Sequence, residues 1–202
     1  MKWFLVDASV SITLAEIDRV QVLEGLDGNI CMPDAVAAEI EPNPSKTTIE
    51  GQKRRLIATN TDWLDLIKTH QEPERAFDYA QYPKTEKMQF RKAANHLGEE
   101  PPGDWMTGDV ALLGIALGWK EESTDEVIIT DDKPLRKTCK ALGIPISGSF
   151  GVLIAAVERG DLDPDEAKAA LVAMDEAGAR LSARLLRKAE RLIDEAAEKR
   201  GE

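Results

Sequence analysis

Two short apolar runs that each end in acidic residues constrain the fold of this chain more than any other feature. Residues 3–6 precede Asp7, and residues 127–130 precede Asp131 and Asp132. Runs of this kind, without alternating polar residues, are typical of strands that are buried on both faces of a parallel sheet. Because the carboxyl ends of parallel strands meet at one edge, where ligands bind in open α/β sheets, we expect these acids to lie close together.

Strand and helix patterns alternate along the chain, which favours an α/β fold with a parallel sheet covered on both faces. Besides the two acid-tipped strands, strands are predicted at 29–32, 62–68 and 144–146. Helices are predicted at 11–25, 34–41, 46–59, 86–97, 108–118, 134–142 and 150–159. The stretch between His70 and Trp105 contains several prolines and is the least regular.

Composition narrows the class of protein. With 202 residues, of which 43% are hydrophobic, the chain can bury one substantial core, which indicates one domain with an appendage. The net charge of -11 argues against a generally basic nucleic-acid or membrane binder. Cys31 and Cys139 are too few for a disulfide framework, so we expect buried thiols in a reduced compartment. Without an apolar run of about 18 residues, we expect no membrane span and a cytoplasmic location.

The last 40 or so residues, 161–202, differ from the rest because they contain helix signals alone. Asp163 and Pro164 are a cap and a first-turn proline, and they predict a helix that continues to about Gly178. Ser182 can cap a second helix, whose apolar stripe is predicted to be Leu185, Ala189, Leu192 and Ala196. We expect this helical extension either to pack on the domain or to serve as an interface, and we expect a homodimer.

Four acids that are far apart in sequence are the candidates for chemistry: Asp7, Glu39, Asp109 and Asp131. Carboxylates that share a buried site repel one another unless a cation neutralises them. Hard oxygen ligands favour Mg²⁺ or Mn²⁺, whereas zinc sites use Cys and His, of which this chain has few. Such ions activate water and stabilise the oxygens of a phosphodiester displacement. The set therefore predicts nuclease chemistry.

Each acid also has an ordinary structural interpretation. An Asp after a strand, such as Asp7, is often a turn former or a helix cap. Glu39 alone is typical of a solvated helix position, and Asp109 can simply complement the start of a helix. Asp131 and Asp132 can form a turn, with Asp132 capping the helix that begins near Pro134. The four acids taken together are more informative than any single one.

The residues around these acids resemble the successive acidic motifs of PIN-domain ribonucleases. The stretches that carry the resemblance are 6–9, 32–40, 108–117 and 129–133. The segments 141–153 and 177–182 are similar to the corresponding parts of VapC-like toxins. The likeness covers most of residues 3–185 in order.

This resemblance implies a three-layer α/β/α fold and Mg²⁺- or Mn²⁺-dependent cleavage of RNA. It implies catalytic and metal-binding roles for Asp7, Glu39, Asp109 and Asp131, with Asp132 as a further metal ligand. Ser9 and Thr130 are implied as hydroxyl partners of the cluster. It also implies a small antitoxin protein that silences the enzyme by filling the acidic crevice. Alternatives are an RNA-processing nuclease without an antitoxin and a non-catalytic binding module of the same fold.

Two features depart from a minimal toxin. The nuclease domain, predicted at 1–160, contains an insertion at about 70–106, and the extension 161–202 follows it. In the insertion, aromatic residues alternate with basic ones, a mixture that can stack bases and contact phosphates. Its substrate-binding candidates are Lys84, Lys87, Arg91 and Lys92. A subunit interface and a packed lid are the alternatives for this segment.

Overall fold

A five-stranded parallel sheet lies at the centre of the computed structural model. The structure describes residues 2–40, 68–69, 84–103, 106–121, 125–179 and 181–200. The strands are β1 (Lys2–Val6), β2 (Asn29–Met32), β3 (Lys68–Thr69), β4 (Asp125–Ile129) and β5 (Ile146–Ser147). Their order is β3-β2-β1-β4-β5, and each pairing is parallel. The two acid-tipped strands, β1 and β4, are therefore neighbours in the middle of the sheet.

Eight helices are described, together with a 3₁₀ turn at Val20–Leu23 and a π turn at Asp175–Ala179. They are α1 (Ala8–Glu16), α2 (Asp34–Ile40), α3 (Lys84–Leu97), α4 (Gly108–Glu121), α5 (Lys133–Leu142), α6 (Ser149–Arg159), α7 (Pro164–Met174) and α8 (Ala183–Arg200). The helices form two groups. In the first, α1, α6, α7 and α8 pack on one another, and the second contains α3, α4 and α5. The predicted three-layer α/β/α architecture is confirmed.

Burial explains why the central strands form where they do. Leu5 and Val6 of β1 and Ile128 of β4 are fully buried, and Ile129 is 1% exposed. A strand with helices on both faces buries every side chain in its middle, so its sequence shows no alternation.

The predicted helix 11–25 differs from the structure. The helix begins earlier, at Ala8, and ends at Glu16. Asp18 has a φ of 54°, in the left-handed region that an α-helix does not use. The chain then continues as the 3₁₀ turn, so the apolar spacing that looked continuous belongs to two elements. The predicted helix 46–59 and most of the predicted strand 62–68 lie outside the described residues.

The C-terminal helices share the core of the sheet domain. Ala189, Ile193 and Ala196 of α8 are buried, and α8 packs on α6 and α7. Leu185, which was predicted to lie on the apolar stripe, is 40% exposed instead. The buried face of α8 thus contains Ile193, whereas the sequence predicted the neighbouring Leu192. In the described residues no helix is both long and apolar enough to cross a membrane.

Candidate active site at the carboxyl edge of the sheet

The pairing of β1 with β4 brings the two acid-tipped strands together. Val6 is in register with Ile129, and the Asp7 amide donates a hydrogen bond to the Ile129 carbonyl at 2.9 Å. The pairing thus continues one residue beyond β1. Residues from the two ends of the chain therefore meet at one edge, as the sequence predicted.

Asp7 is the best anchored acid at this edge. Its side chain is 4% exposed, and its Oδ2 accepts hydrogen bonds from Ser9 Oγ at 2.5 Å and from Thr130 Oγ1 at 2.6 Å. Burial raises the pKa of Asp7, while the two hydroxyl donors oppose that rise because they stabilise the ionised form. Ser9 and Thr130 are thus placed as the hydroxyl partners that the resemblance implied.

Glu39 reaches the edge through its contact with the first residue of α4. The Gly108 amide donates to Glu39 Oε1 at 2.8 Å, so the carboxylate lies at the positive end of that helix. A Cβ on Gly108 would lie 2.8 Å from the same oxygen and 3.0 Å from Val36. A side chain at position 108 would therefore displace the Glu39 carboxylate from the start of α4 and crowd Val36.

The pKa of Asp109 depends on the other acids at this edge. Its pKa is raised from 3.8 to about 7, first by burial and then by the negative charges of Asp7, Asp132, Glu39 and Glu99. Charges act on one another in this way only when they share a poorly solvated space. The four predicted regions of the chain are consequently brought to a common crevice.

Asp131 and Asp132 have different surroundings. Both Asp131 carboxylate oxygens accept hydrogen bonds from Ser149, one from its amide at 3.0 Å and one from its hydroxyl, so the side chain holds the start of α6. Asp132 caps α5, where its Oδ1 accepts from the Leu135 amide at 2.7 Å, and its charge acts on both Asp7 and Asp109. Asp132 is thus the acid of this pair that couples to the crevice.

Within the described part of the chain, no ion pair neutralises Asp7, Asp109, Asp131 or Asp132. The nearby Arg136 donates instead to the backbone carbonyls of Thr130 and Ser147, both at 2.6 Å. Its guanidinium therefore ties β4 to β5. It does not fill the acidic crevice.

The donor set fits a hard divalent cation, because the crevice offers carboxylate oxygens and no thiolate or imidazole from the residues identified above. No group of three His, Cys, Asp or Glu side chains in the described ranges is close enough to hold an ion as it stands. Binding a metal there requires the carboxylates to draw closer together, which the cation's charge would favour.

The comparison with known families decides the identity of this arrangement. Residues 80–195, more than half of the chain, match a family described as a PIN domain. This chain belongs to the PIN domain family. No curated protein matches it. PIN domains are generally nucleases, and PIN nucleases generally use divalent metals.

The PIN match covers only part of the acidic crevice. Asp109, Asp131 and Asp132 lie within residues 80–195, whereas Asp7 and Glu39 lie before them. For these two acids the structural argument is the strand pairing and the contact with Gly108. The VapC-like subgroup and the assignment of metal ligands stay predictions.

Two further acids belong to this edge of the PIN domain although the sequence did not single them out. Glu99 follows α3 and accepts a hydrogen bond from Thr107 Oγ1 at 2.7 Å, and its charge acts on Asp109. Asp34 begins α2, directly after β2, and burial raises its pKa. Asp34 was recognisable, since it too follows a buried strand. Glu99 lies in a loop and has no such signal.

The basic substrate-binding candidates lie along α3. Lys84, Lys87 and Arg91 are spaced three and four residues apart and so share one face of the helix. Lys92 pairs with Glu121 at 3.0 Å, at the last residue of α4. Asp109 lies twelve residues earlier in the same helix, about 18 Å away along its axis. Lys92 is therefore not part of the acidic crevice. The predicted aromatic partners Phe77, Tyr79, Tyr82 and Trp105 lie outside the described residues, whereas Phe90 is buried against Gly114.

Proposed function

We propose that this PIN domain is a metal-dependent endoribonuclease and the toxin of a toxin–antitoxin pair. The observation that carries the proposal is the convergence of Asp7, Glu39, Asp109 and Asp132 on one crevice, where no ion pair among the described residues neutralises Asp7, Asp109 or Asp132. Such crowding of carboxylates opposes folding, so a site that keeps them together is built for a cation. The antitoxin part rests on the VapC-like stretches in the sequence.

We assign the four carboxylates as ligands of Mg²⁺ or Mn²⁺. When bound, the ion would neutralise them and supply Lewis acidity at the scissile phosphate. In this assignment Asp132 takes the place that the sequence analysis gave to Asp131, because Asp131 already holds both hydrogen-bond donors of Ser149. Asp131 then acts as a positioning residue that fixes α6 against β4.

The two hydroxyls beside Asp7 hold its side chain in place and favour its ionised form. Ser9 Oγ donates to Asp7 and accepts from the Asp131 amide at 3.1 Å, so its hydroxyl acts both as a donor and as an acceptor. Thr130 Oγ1 donates to Asp7 and accepts from the Asp132 amide at 3.0 Å. Both hydroxyls bridge Asp7 and a backbone amide, which supports a positioning role for them, with water as the group that attacks phosphorus.

The decisive experiment is RNA cleavage by the purified protein with Mg²⁺, with Mn²⁺ and with a chelator. Asp7→Asn keeps the size of the side chain and removes its charge, and we expect a loss of at least about 100-fold in rate with the fold retained. Asp194→Asn in α8 is the matched control, since it makes the same change at an exposed ion pair with Lys168. Equal cleavage by wild type and Asp7→Asn would refute the site.

The antitoxin is tested separately. A toxin should arrest growth when it is expressed alone, and co-expression of a small protein encoded beside it should restore growth. Arrest by Asp7→Asn as strong as that by wild type would show that the toxicity does not come from this crevice. Metal-dependent cleavage without growth arrest would support an RNA-processing nuclease instead.

A further inference from the structure

A cavity of about 390 Å³ lies beside the acidic crevice. The segment 99–103 forms one part of its wall, and Met106, Thr107 and Val110 form another. Its volume is within the range of sites that enclose small organic groups. None of the assigned metal ligands lines it, so its role is distinct from theirs.

The cavity adjoins the proposed reaction centre through α4. Thr107 and Val110 flank Asp109 in the chain, at the start of this helix, and both contribute to the cavity wall. Glu99, on the opposite part of the wall, is close enough to Asp109 for its charge to act on it. A nucleotide whose phosphate lies at the acids therefore has a neighbouring base within reach of the cavity.

The walls combine apolar surface with hydrogen-bond acceptors. Pro102 is buried, Val110 is 1% exposed and Met106 packs on the core. Thr107 Oγ1 donates to Glu99 at 2.7 Å and accepts from the Val110 amide at 3.3 Å, so its hydroxyl is used in both directions. Among the described lining residues, the polar side chains that remain for a ligand are the carboxylates of Glu99 and Glu100, which accept hydrogen bonds and donate none when ionised.

We propose that this cavity receives an unpaired nucleobase of the RNA substrate and that it favours guanine. Carboxylates repel a phosphate, whereas a base that presents N–H groups satisfies them. The Watson–Crick edge of guanine carries two adjacent donors, N1–H and the 2-amino group. Adenine and cytosine present one amino group beside a ring acceptor, and uracil presents one imino group between two carbonyl oxygens. The expected order of preference is guanine, then adenine and cytosine, then uracil.

This inference rests on the proposed function, and its test separates the two. The probes are short unpaired oligouridines that contain one guanosine, inosine, adenosine or cytidine, and both cleavage and binding by anisotropy are measured. Inosine lacks only the 2-amino group, and we expect it to lower kcat/KM by roughly tenfold relative to guanosine, mainly through KM. In Glu99→Gln the side chain still accepts from Thr107, but its charge is lost, and we expect the guanosine-to-inosine ratio to fall towards one.

Glu121→Gln is the matched control, because it removes the same charge at the far end of α4, and the base preference should not change. Cleavage without base preference would overturn this inference and leave the nuclease proposal standing. Guanosine-selective binding that Glu99→Gln abolishes, in a protein that cleaves no RNA, would support the cavity and overturn the nuclease. Binding of an arginine-rich peptide that depends on Glu99, without discrimination among bases, would assign the cavity to a protein partner and overturn the inference.

Discussion

The acidic edge and the C-terminal helices use the same residue types in opposite ways. In α8 and its neighbours several acids form ion pairs within the chain, as in the pairs of Lys168 with Asp194 at 2.5 Å and Arg191 with Glu195 at 2.9 Å. These pairs are solvent-exposed and neutralised within the chain. At the sheet edge Asp7, Asp109 and Asp132 are buried or half-buried, and no ion pair among the described residues neutralises them. The difference separates charges that are balanced within the chain from charges that, on the proposed function, a divalent cation would balance.

The largest expected effect distinguishes the two consecutive acids. Asp132→Asn keeps the cap on the Leu135 amide but removes the charge from the crevice, so we expect a loss of cleavage of at least about 100-fold. Asp131→Asn keeps one acceptor for Ser149 but replaces the second carboxylate oxygen with an amide nitrogen, which cannot accept, so it should lower the Tm while the rate per folded molecule changes little. To check this, the cleavage rate and the Tm are measured for both variants. The reverse pattern would return the ligand role to Asp131.

A smaller loss of cleavage activity is expected when the hydroxyl partners of Asp7 are removed. Ser9→Ala and Thr130→Ala each delete one hydroxyl donor to Asp7 Oδ2, and partners of this kind contribute about 10- to 100-fold to metal affinity or activity. Titration with Mn²⁺ followed by cleavage measures both quantities. Thr130→Ser retains the hydroxyl and should restore most of the activity. If it behaves like Thr130→Ala, the threonine methyl matters and the hydrogen bond does not.

Removing an acid from the edge should stabilise the metal-free protein. The pKa of Asp109 is raised from 3.8 to about 7 in the folded state, so folding favours its protonated form. This contribution to stability is fully present below about pH 4 and is lost as the pH rises to about 7. Asp109→Asn should therefore raise the free energy of unfolding at pH 7 by about 1 kcal/mol, after discounting for solvent at this half-buried group.

Melting curves from pH 4 to 8 with a chelator test this expectation. Wild type should lose Tm across this range more steeply than Asp109→Asn, and Asp194→Asn should follow wild type. Parallel curves for wild type and Asp109→Asn would show that the acids at the edge do not repel one another.

The smallest expected effect is a change in Tm caused by a substitution in the C-terminal helices. Asp194→Asn breaks the ion pair with Lys168, in which Asp194 is exposed and Lys168 is half-buried, so the Tm should change by no more than about 2 °C. A large decrease in Tm, measured by calorimetry, would mean that Asp194 stabilises the fold. It would then weaken the contrast between the acids of the C-terminal helices and those at the sheet edge.

The sequence predicted the parts of the fold that local pattern controls. β1, β2, β4, α4, α5 and α6 were located because apolar runs, proline starts and glycine stops specify them. Gly143 and Gly160, which end α5 and α6, have positive φ values of 65° and 85°. The break at Asp18 was missed because a left-handed aspartate leaves no signal in the spacing of apolar residues.

The sequence named acids that the structure places near one another, while their roles stay predictions. Asp7, Glu39 and Asp109 are each the acid named in their motif, and the charges of Asp7 and Glu39 act on Asp109. The choice between Asp131 and Asp132 depends on which one meets Ser149, and that contact spans 18 residues of chain. Glu99 could not be found from the sequence because only the packing of α3 on α4 brings it near Asp109.

The hydrogen bond from Thr130 to Asp7 joins residues that are 123 positions apart. A ribosome that has made only the N-terminal half of the chain has produced Asp7 and Glu39 but neither the hydroxyl nor the later acids. The acidic crevice consequently cannot assemble until β4 has left the exit tunnel and inserted beside β1. If the crevice cleaves RNA as proposed, the order of synthesis keeps the unfinished chain from cleaving the message that encodes it.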